Sequence, residues 1–427
     1  MTDTNAQAEA GTAEGQGPIE IDPEMARHIE NNRDELLEKF EIHDDFPEEV
    51  VLEARSRTEG VEAEIEAALD EREDLRSMTT WTTDPIDAQD FDDAISIEAL
   101  DDEIVLWVHI ADVTHYVTPD TAMWDEAIER GNSVYLPGYT IHMLPHILAE
   151  TVCSLVPEED RLAHTVEMRL DPETLSFEEI DIYKSVIRSD ERLTYGEAET
   201  RLDDPSAPLH EDLHLVHELA DRMHENRKAD GSLVLNPRRD RAHTIIEECM
   251  LKANKAVTHE LMWNRGVEAM YRVHPQPTPE EWDEALREIQ ELDGVSIPSD
   301  SWEDPRIAVN ATLEDAPDRQ LSRIQRAVMR VMPRARYMSD PFGGHHALNF
   351  EIYGHFTSPI RRLSDLINHW IVETNEIPEN LDALCERASK RQKAADGCER
   401  EYRQFLEEVG LDPQAVNNRG IEVIEDG

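Results

Sequence analysis

The sequence is poor in positive charge and especially in lysine. It has 41 lysine and arginine residues against 95 aspartate and glutamate residues, which gives a formal net charge of −54 over 427 residues. Only seven of the basic residues are lysines. Such a surface repels itself at low ionic strength, whereas at molar salt the screening length falls to about 3 Å. Because 39% of the residues are hydrophobic, we expect a globular, salt-adapted (halophilic) protein rather than a disordered chain.

Cysteine and long hydrophobic runs are also scarce. The four cysteines, Cys153, Cys249, Cys385 and Cys398, show no C-x-x-C spacing, so we expect reduced thiols, two or three of them buried. There is no run of 18 apolar residues, and the N-terminal residues are polar and acidic rather than those of a signal sequence. We therefore expect a soluble, cytoplasmic protein that does not bind a membrane.

The order of strand and helix patterns predicts an α+β fold. Residues 1–18 contain nothing to bury and predict a disordered tail. Asp22 before Pro23, and Thr278 before Pro279, predict the starts of two helices. The segment "AISIEALDDEIVLWVHIA" predicts a β-hairpin whose second arm is the more buried. Strand patterns come mainly in the first half and helical patterns in the second, which is typical of α+β proteins.

One acidic cluster stands out in the segment "WTTDPIDAQDFDDAISIE", residues 81–98. Its five aspartates are Asp84, Asp87, Asp90, Asp92 and Asp93. In so acidic a chain the cluster can be an ordinary solvated loop. An EF-hand is excluded, because counting from Asp87 the required glycine position is Asp92. Apolar residues interleave the acids and favour a packed loop, in which close carboxylates need a hard cation such as Mg²⁺.

Longer motifs show which family the sequence resembles. The cluster is followed by "VHIADVTHYV", by "NSVYLPGYTIHMLPHILAETVCSLVPEEDRLAHTVEM" and, far downstream, by "HFTSPIRRLSDLINHW". This series closely resembles the catalytic RNB domain of the ribonuclease II / ribonuclease R family of 3′-to-5′ exoribonucleases, over residues 45 to 405. The resemblance implies an α+β domain with a mixed, mostly antiparallel sheet packed with helices around a narrow RNA channel.

The resemblance also implies catalytic residues. The acids that match the family's metal-binding and catalytic positions are Asp84, Asp90, Asp92 and Asp93. Asp87 lies outside the family's pattern. Arg361 in "SPIRR" matches the catalytic arginine, a fixed cation for the charge that develops on the phosphoryl oxygens. Without the family, a surface ion-pair network is the favoured interpretation of Arg361 and Arg362.

Further residues match RNA-binding positions. Tyr135 matches an aromatic residue that stacks on the terminal base, although a tyrosine in this pattern can also be a core residue. Tyr195 and one glutamate of "IIEECM" match positions near the ribose, where contacts distinguish RNA from DNA. The motif leaves Glu247 and Glu248 as alternatives. The arginines that we expect to line the channel are Arg238, Arg239, Arg241, Arg272, Arg361 and Arg362. The motif "TIHMLP" departs from the family, which usually has proline in place of His142.

We expect a Mg²⁺-dependent exoribonuclease that hydrolyses single-stranded RNA from the 3′ end to 5′-mononucleotides. The expected segments are a disordered acidic tail (1–18), a helical N-terminal extension (19–75), the RNB catalytic domain (76–378) and a C-terminal helical segment (379–427). Family members commonly carry RNA-binding barrels on both sides of the domain, which neither flank matches here. The sequence identifies no protein partner that replaces them. A non-catalytic RNA-binding scaffold and another metal-dependent phosphodiesterase or endonuclease are the alternatives.

Overall fold

A computed structural model describes residues 17–100, 102–298 and 304–424, apart from the side chain of Trp263. The tail predicted over residues 1–18 lies almost entirely outside these ranges. The chain forms two compact units. The first unit comprises Met1–Asp45, Ser133–Ile141 and Lys393–Gly427, and the second comprises Phe46–Asn132 and His142–Gln392.

The strands and helices are numbered along the described chain. The strands are β1 (Ile19–Ile21), β2 (Glu73–Asp74), β3 (Trp81–Asp84), β4 (Asp93–Ala99), β5 (Ile104–Ala111), β6 (Val134–Leu136), β7 (Tyr139–Ile141), β8 (Asp160–Leu170), β9 (Phe177–Arg188), β10 (Glu191–Thr194), β11 (Tyr271–Val273), β12 (Arg336–Met338) and β13 (Ile421–Val423). The helices are α1 (Pro23–Lys39), α2 (Glu48–Thr58), α3 (Val61–Ala68), α4 (Ala122–Arg130), α5 (Tyr195–Asp203), α6 (His210–Ala229), α7 (Arg241–His259), α8 (Pro279–Gln290), α9 (Pro305–Asp315), α10 (Asp318–Val331), α11 (Leu363–Thr374), α12 (Leu381–Glu408) and α13 (Pro413–Arg419).

The first unit combines segments from both ends of the described chain. Asp22 caps α1, because its Oδ1 accepts hydrogen bonds from the backbone N–H groups of Glu24 (2.9 Å) and Met25 (2.8 Å). This confirms the helix start predicted from Asp22 and Pro23. β1 pairs in parallel with β13, and β6 forms a hairpin with β7. The β1–β13 pairing was not predicted, since it joins three-residue strands that are about 400 positions apart in the sequence.

The second unit is built around a seven-stranded sheet in the order β10-β3-β4-β5-β8-β9-β2. The β10–β3 and β9–β2 pairs are parallel, and the other four are antiparallel. Helices α6 and α7 contact strands of this sheet and each other. The α+β class and the mixed, mostly antiparallel sheet predicted from the sequence are therefore confirmed.

The local patterns in the second unit account for its elements. The predicted hairpin is β4–β5, and β5 is buried along nearly its whole length, as its continuous apolar run indicated. Thr278 and Glu281 form a capping box at the start of α8, as predicted there from Thr278 and Pro279. Helices α8, α9 and α10 enclose a smaller core of their own within this unit.

All four cysteines are buried and form no disulfide. The sequence predicted reduced thiols but only two or three buried ones. The difference arises on α12, where both Cys385 and Cys398 point into hydrophobic clusters. Among the described residues, no helix is both long enough and apolar enough to cross a membrane.

Candidate active site

The acidic residues selected from the sequence lie where two neighbouring strands meet. Asp84 is the last residue of β3, and Asp93 is the first residue of β4. Asp90 and Asp92 lie on the connection between these strands, and we call residues 84–93, which include both strand-end aspartates, the aspartate loop. Asp87, which falls outside the family's pattern, is exposed.

Ser154 is one of the residues that hold the aspartate loop in place. The Ser154 hydroxyl accepts a hydrogen bond from the Phe91 backbone N–H (2.9 Å) and donates one to the Gln89 carbonyl (2.7 Å). The Leu155 N–H also donates to the Phe91 carbonyl (3.0 Å). Phe91 is buried in the core. The loop is therefore packed only at its end, around Phe91 and Asp92, whereas Pro85, Ile86 and Gln89 are exposed, so the packed loop expected from the interleaved apolar residues is found only in part.

The carboxylates of this loop disfavour each other's charge. Burial raises the pKa of Asp92 well above its ordinary value. The Arg361 guanidinium opposes this rise, while the carboxylates of Asp90 and Asp93 add to it. Burial also raises the pKa of Asp84, and the Asp93 carboxylate raises it further. Burial raises the pKa of Asp93 itself to about 6. A cation beside these carboxylates would stabilise their ionised forms.

The "SPIRR" motif meets the aspartate loop directly. Asp92 Oδ1 accepts a hydrogen bond from the backbone N–H of Ile360 (2.8 Å), although the two residues are 268 positions apart. Arg361 Nε lies 3.3 Å from Asp92 Oδ2, and Arg361 Nη2 donates to the Ser358 hydroxyl (2.8 Å). Asp92 is 3% exposed, whereas the side chain of Arg361 is 41% exposed. The guanidinium is thus anchored at its base and remains accessible to a ligand.

A buried aspartate shapes the turn that carries Arg361. Asp365 Oδ1 accepts hydrogen bonds from the Ser358 backbone N–H (2.8 Å) and from Arg362 Nη2 (2.6 Å). Its Oδ2 accepts from the Ser364 hydroxyl (2.7 Å). Arg362 therefore supports the turn through Asp365, at the start of α11.

Two histidines of the motifs have structural environments. His109 on β5 is fully buried between the hydroxyls of Ser96 (3.1 Å) and Thr165 (2.9 Å), and burial lowers its pKa to about 3. His369 stacks on the ring of Phe356 and hydrogen-bonds its carbonyl through Nε2 (2.8 Å). Both contribute to packing behind the site.

The buried oxygens of the aspartate loop fit a cation. Asp84 Oδ2 and Asp92 Oδ2 are buried and accept no hydrogen bond. A hard divalent ion satisfies such carboxylate oxygens. No three carboxylates of this loop bring their oxygens within 4.8 Å of one another. In the described part of the chain, that degree of convergence occurs in two other groups, His142 with His146 and Glu150, and Asp112 with His164 and Glu373.

Tyr195 lies beside the aspartates. β10 pairs with β3 so that Thr194 is opposite Asp84, and Tyr195 follows as the first residue of α5. The Tyr195 ring stacks on His243, with centroids 3.7 Å apart and planes 7° apart. Burial raises the pKa of Tyr195, and the charges of Asp93 and Asp84 raise it further.

The two candidate glutamates have different environments on α7. Glu248 is 3% exposed and accepts hydrogen bonds from Arg227 Nε (3.1 Å) and His224 Nδ1 (3.0 Å). Burial raises the pKa of Glu248, but its hydrogen bonds to His224 and Arg227 outweigh this and hold it below the ordinary value. Glu247 keeps 29% of its side chain exposed and pairs with Arg227 and Arg239. Glu247 is the accessible one of the two.

The other predicted RNA-binding residues are engaged by protein groups. Tyr135 lies on β6 of the first unit, is partly exposed, and its backbone N–H donates to Glu399 Oε1 (2.9 Å). The predicted channel arginines make these contacts: Arg238 with Asp318, Arg239 with Glu247, Arg241 with Glu199 and Asp203, and Arg272 with the ring of Tyr337.

Sequence reasoning missed two residues that support the site. Ser154 was not selected, although it is the polar residue within the apolar stretch "VCSLV". Arg192 donates to the Pro85 carbonyl, lies 5.5 Å from the Phe91 ring, and its charge lowers the pKa of Asp84. The only signal for Arg192 in the sequence was a basic residue shortly before Tyr195.

The fold and the site together define an α+β protein in which the buried Asp92 of the aspartate loop faces a fixed arginine. The chain belongs to the RNB domain family, whose model matches residues 72–376. The resemblance inferred from the motifs is therefore confirmed.

Known relatives agree with this assignment. Ribonuclease R of Aquifex aeolicus (strain VF5) is 35% identical over 410 residues, covering 87% of this chain and 57% of the relative. A structure of Mycoplasma genitalium RNase R in complex with ribose methylated single-stranded RNA matches with a TM-score of 0.78 at 24% identity, covering 89% of this chain and 64% of that chain. Yeast Ssd1, a pseudonuclease, matches with a TM-score of 0.70 at 22% identity, covering 80% of this chain and 45% of that chain. The chain spans about half the length of the curated relatives it matches.

Proposed function

We propose that this protein is a divalent-metal-dependent 3′-to-5′ exoribonuclease that hydrolyses single-stranded RNA to 5′-mononucleotides. The observation that carries the proposal is the meeting of Asp92 with Ile360 and Arg361. Residues 268 and 269 positions further along the chain bring a backbone donor and a guanidinium to one buried carboxylate. A scaffold has no use for clustered carboxylates whose burial is this costly.

Asp84, Asp90, Asp92 and Asp93 are the residues that we assign to Mg²⁺. Their support is that Asp84 Oδ2 and Asp92 Oδ2 are buried without a hydrogen-bond partner, and that the pKa values of Asp84, Asp92 and Asp93 are raised. When bound, the ion supplies an activated water and stabilises the attacking and leaving oxygens of the phosphodiester. Mg²⁺ itself, rather than another hard divalent ion, is part of the proposal.

Arg361 is assigned to the charge that develops on the phosphoryl oxygens. The side chain is positioned by Ser358 and Asp92 and still exposes 41% of its surface. A cation fixed before the reaction needs no reorganisation as charge develops. Arg362, paired with the buried Asp365, is assigned to positioning the turn and to backbone contact with RNA.

Tyr195, Glu247 and Tyr135 are assigned to RNA binding. Tyr195 lies next to Asp84 in the sheet register. Glu247 is chosen over Glu248 because Glu248 is buried against Arg227 and His224. A carboxylate near the ribose can accept a hydrogen bond from the 2′-hydroxyl, which distinguishes RNA from DNA. Tyr135 is assigned to base stacking, a contact worth about 1–3 kcal/mol that ignores base identity.

The setting of the enzyme is also part of the proposal. We infer a cytoplasmic protein of a salt-adapted organism, supported by the net charge of −54 and the seven lysines. The segments proposed from the sequence, with residues 76–378 as the catalytic domain, remain our division of the chain. Because counterion release contributes little to affinity at molar salt, stacking and metal–phosphate contacts are proposed to supply most of the binding energy.

Degradation of end-labelled oligonucleotides tests the function. The protein is incubated with Mg²⁺ at high KCl with single-stranded RNA and with DNA of the same sequence, each labelled at the 5′ end. We expect a ladder that shortens from the 3′ end of the RNA, release of 5′-mononucleotides, and intact DNA. Internal fragments indicate the endonuclease alternative. Binding without any cleavage indicates the scaffold alternative.

A further inference from the structure

A second group of metal-ligating side chains lies next to the aspartate loop. His142 Nε2 is 2.9 Å from Glu150 Oε1, and His146 Nδ1 is 3.1 Å from the same oxygen. The two imidazole rings are 4.6 Å apart, at an interplanar angle of 80°. Two imidazole nitrogens and a carboxylate oxygen thus converge on one point.

The local backbone produces this convergence. The three residues follow β7 at intervals of four positions, in the segment "HMLPHILAE". Glu150 lies in a π-helical turn, Leu148–Val152, which displaces its side chain relative to an α-helix. His142 is 4% exposed, whereas the side chains of His146 and Glu150 are 63% and 27% exposed. The group therefore has a buried inner ligand and an opening towards solvent.

We propose that His142, His146 and Glu150 bind a transition-metal ion of the Zn²⁺ class. Imidazole nitrogens suit Zn²⁺, Co²⁺ and Ni²⁺, whereas Mg²⁺ prefers oxygen ligands. Two histidines with one carboxylate form a three-ligand set of the kind that leaves one position of a tetrahedral ion to water. This site is distinct from the one assigned to Mg²⁺, which consists of carboxylates alone.

The other ring nitrogen of His142, which faces Asp90 rather than Glu150, fits coordination of a metal through Nε2. His142 Nδ1 is buried, has no hydrogen-bond partner, and lies 3.9 Å from Asp90 Oδ2. Coordination through Nε2 leaves the ring proton on Nδ1, directed at that carboxylate. A histidine between a metal and a carboxylate is a common arrangement, since the carboxylate orients the ring. The role of Asp90 as a Mg²⁺ ligand rests on the proposed function, whereas the metal site at His142, His146 and Glu150 does not.

The other converging group does not carry the same inference. Asp112 pairs with Arg72 Nη2 at 2.6 Å, with both side chains almost completely buried. Glu373 pairs with Lys184. Basic side chains therefore already supply the positive charge there, whereas no arginine or lysine pairs with Glu150 among the interactions that the structure describes.

Metal binding to the Mg²⁺-loaded protein tests the proposal. With Mg²⁺ in excess, Zn²⁺ binding is followed by calorimetry, and Co²⁺ binding by the visible absorption of a four-coordinate ion with nitrogen ligands. The variants are His146→Ala and Glu150→Gln, and the control is His259→Ala, which removes an exposed histidine of α7. We expect one Zn²⁺ per chain in the parent and the control. In the two ligand variants the affinity should fall by about 100-fold or more, the upper range for losing even an outer-shell partner.

Three outcomes would overturn the proposed site. One is that the parent takes up no Zn²⁺ in the presence of Mg²⁺, and another is that the His146→Ala variant binds Zn²⁺ as tightly as His259→Ala. The third is that Asp92→Asn abolishes the Co²⁺ absorption while His146→Ala leaves it unchanged. The last outcome locates the ion at the aspartate loop instead. Since none of these measurements uses RNA, failure of the exoribonuclease proposal remains distinguishable from failure of the metal site.

Discussion

At the scale of single residues, Asp92 connects the two halves of the proposed site. Its Oδ1 fixes the backbone of the "SPIRR" turn through Ile360, and its Oδ2 is directed at Arg361. The same carboxylate is thus both a structural acceptor and a candidate metal ligand. The two roles can be separated by replacing Asp92 with asparagine, because the amide oxygen still accepts the hydrogen bond from the Ile360 N–H while the side chain no longer carries a charge.

We predict that Asp92→Asn abolishes RNA hydrolysis while the fold is retained. Loss of the charged oxygen weakens the cation site, and removal of one preorganised electrostatic group typically costs about 100-fold to 1,000-fold in rate. Turnover of labelled RNA gives the activity, and thermal unfolding reports the fold. Asp87→Asn is the matched control, since Asp87 lies on the same loop and is exposed. Parental activity in Asp92→Asn would contradict the assignment.

A parallel prediction concerns Arg361. Arg361→Ala removes the accessible guanidinium but leaves the turn held by Asp365 through Ser358 and Arg362. We expect a rate at least about 100-fold lower, since a transition-state charge loses its fixed partner, with the melting temperature close to that of the parent. Single-turnover cleavage at saturating RNA distinguishes a slower chemical step from weaker RNA binding. An unchanged single-turnover rate would assign Arg361 to binding alone.

At the scale of elements, α6 and α7 are joined by a buried ion pair. Glu248 on α7 and Arg227 on α6 have side-chain exposures of 3% and 7%. Removing one member of a buried pair costs about 3–5 kcal/mol, and the lower end applies here because Arg227 keeps its contact with the partly exposed Glu247. We predict that Glu248→Ala lowers the free energy of unfolding by about 3 kcal/mol, measured by denaturant titration.

The neighbouring residue on α7 is the control for that change. Glu247→Ala removes a partly exposed carboxylate, for which we expect a loss of no more than about 1 kcal/mol. Instead of lowering stability, Glu247→Ala should reduce the ratio of the RNA cleavage rate to the DNA cleavage rate. A large stability loss in Glu247→Ala together with unchanged substrate preference would reverse the two assignments.

Ser154 is the element-scale support of the aspartate loop. We predict that Ser154→Ala lowers the free energy of unfolding by about 1–3 kcal/mol, because the Phe91 N–H and the Gln89 carbonyl lose their partner. Mg²⁺ affinity should fall as the loop loosens. Ser206→Ala, at an exposed serine, is the control, and equal effects of the two changes on Mg²⁺ affinity would show that Ser154 does not position the loop.

Secondary structure that depends on a few adjacent residues could be predicted from the sequence, whereas pairings between residues far apart in the sequence could not. The cap residues Asp22 and Thr278 predicted helix starts because capping depends on a few adjacent residues. The parallel pairing of β10 with β3, which places Tyr195 beside Asp84, has no local signal. The contact between Asp92 and Ile360 was accessible only through the family resemblance, since no periodicity connects residues 268 positions apart.

At the scale of the whole molecule, the charge of −54 has to coexist with binding of a polyanion. Arginines near the proposed RNA-binding residues are paired with acids, as Arg239 is with Glu247 and Arg241 with Glu199. Exposed pairs of this kind contribute little to stability, and salt weakens them. High salt therefore frees these guanidinium groups in part and also screens the repulsion between the protein and RNA.

The same screening leads to a prediction for stability. Unlike most proteins with balanced charge, this one should gain free energy of unfolding as KCl is raised from low to molar concentration, because self-repulsion among the excess acids weakens as the screening length falls from about 10 Å to about 3 Å. Denaturation by urea, which carries no charge, measures this at several KCl concentrations. Tetramethylammonium chloride at matched concentrations controls for specific binding of K⁺ to carboxylates. A maximum of stability at low salt would contradict the inference that the acidic surface is an adaptation to salt. A bound partner would then have to neutralise the excess carboxylates instead.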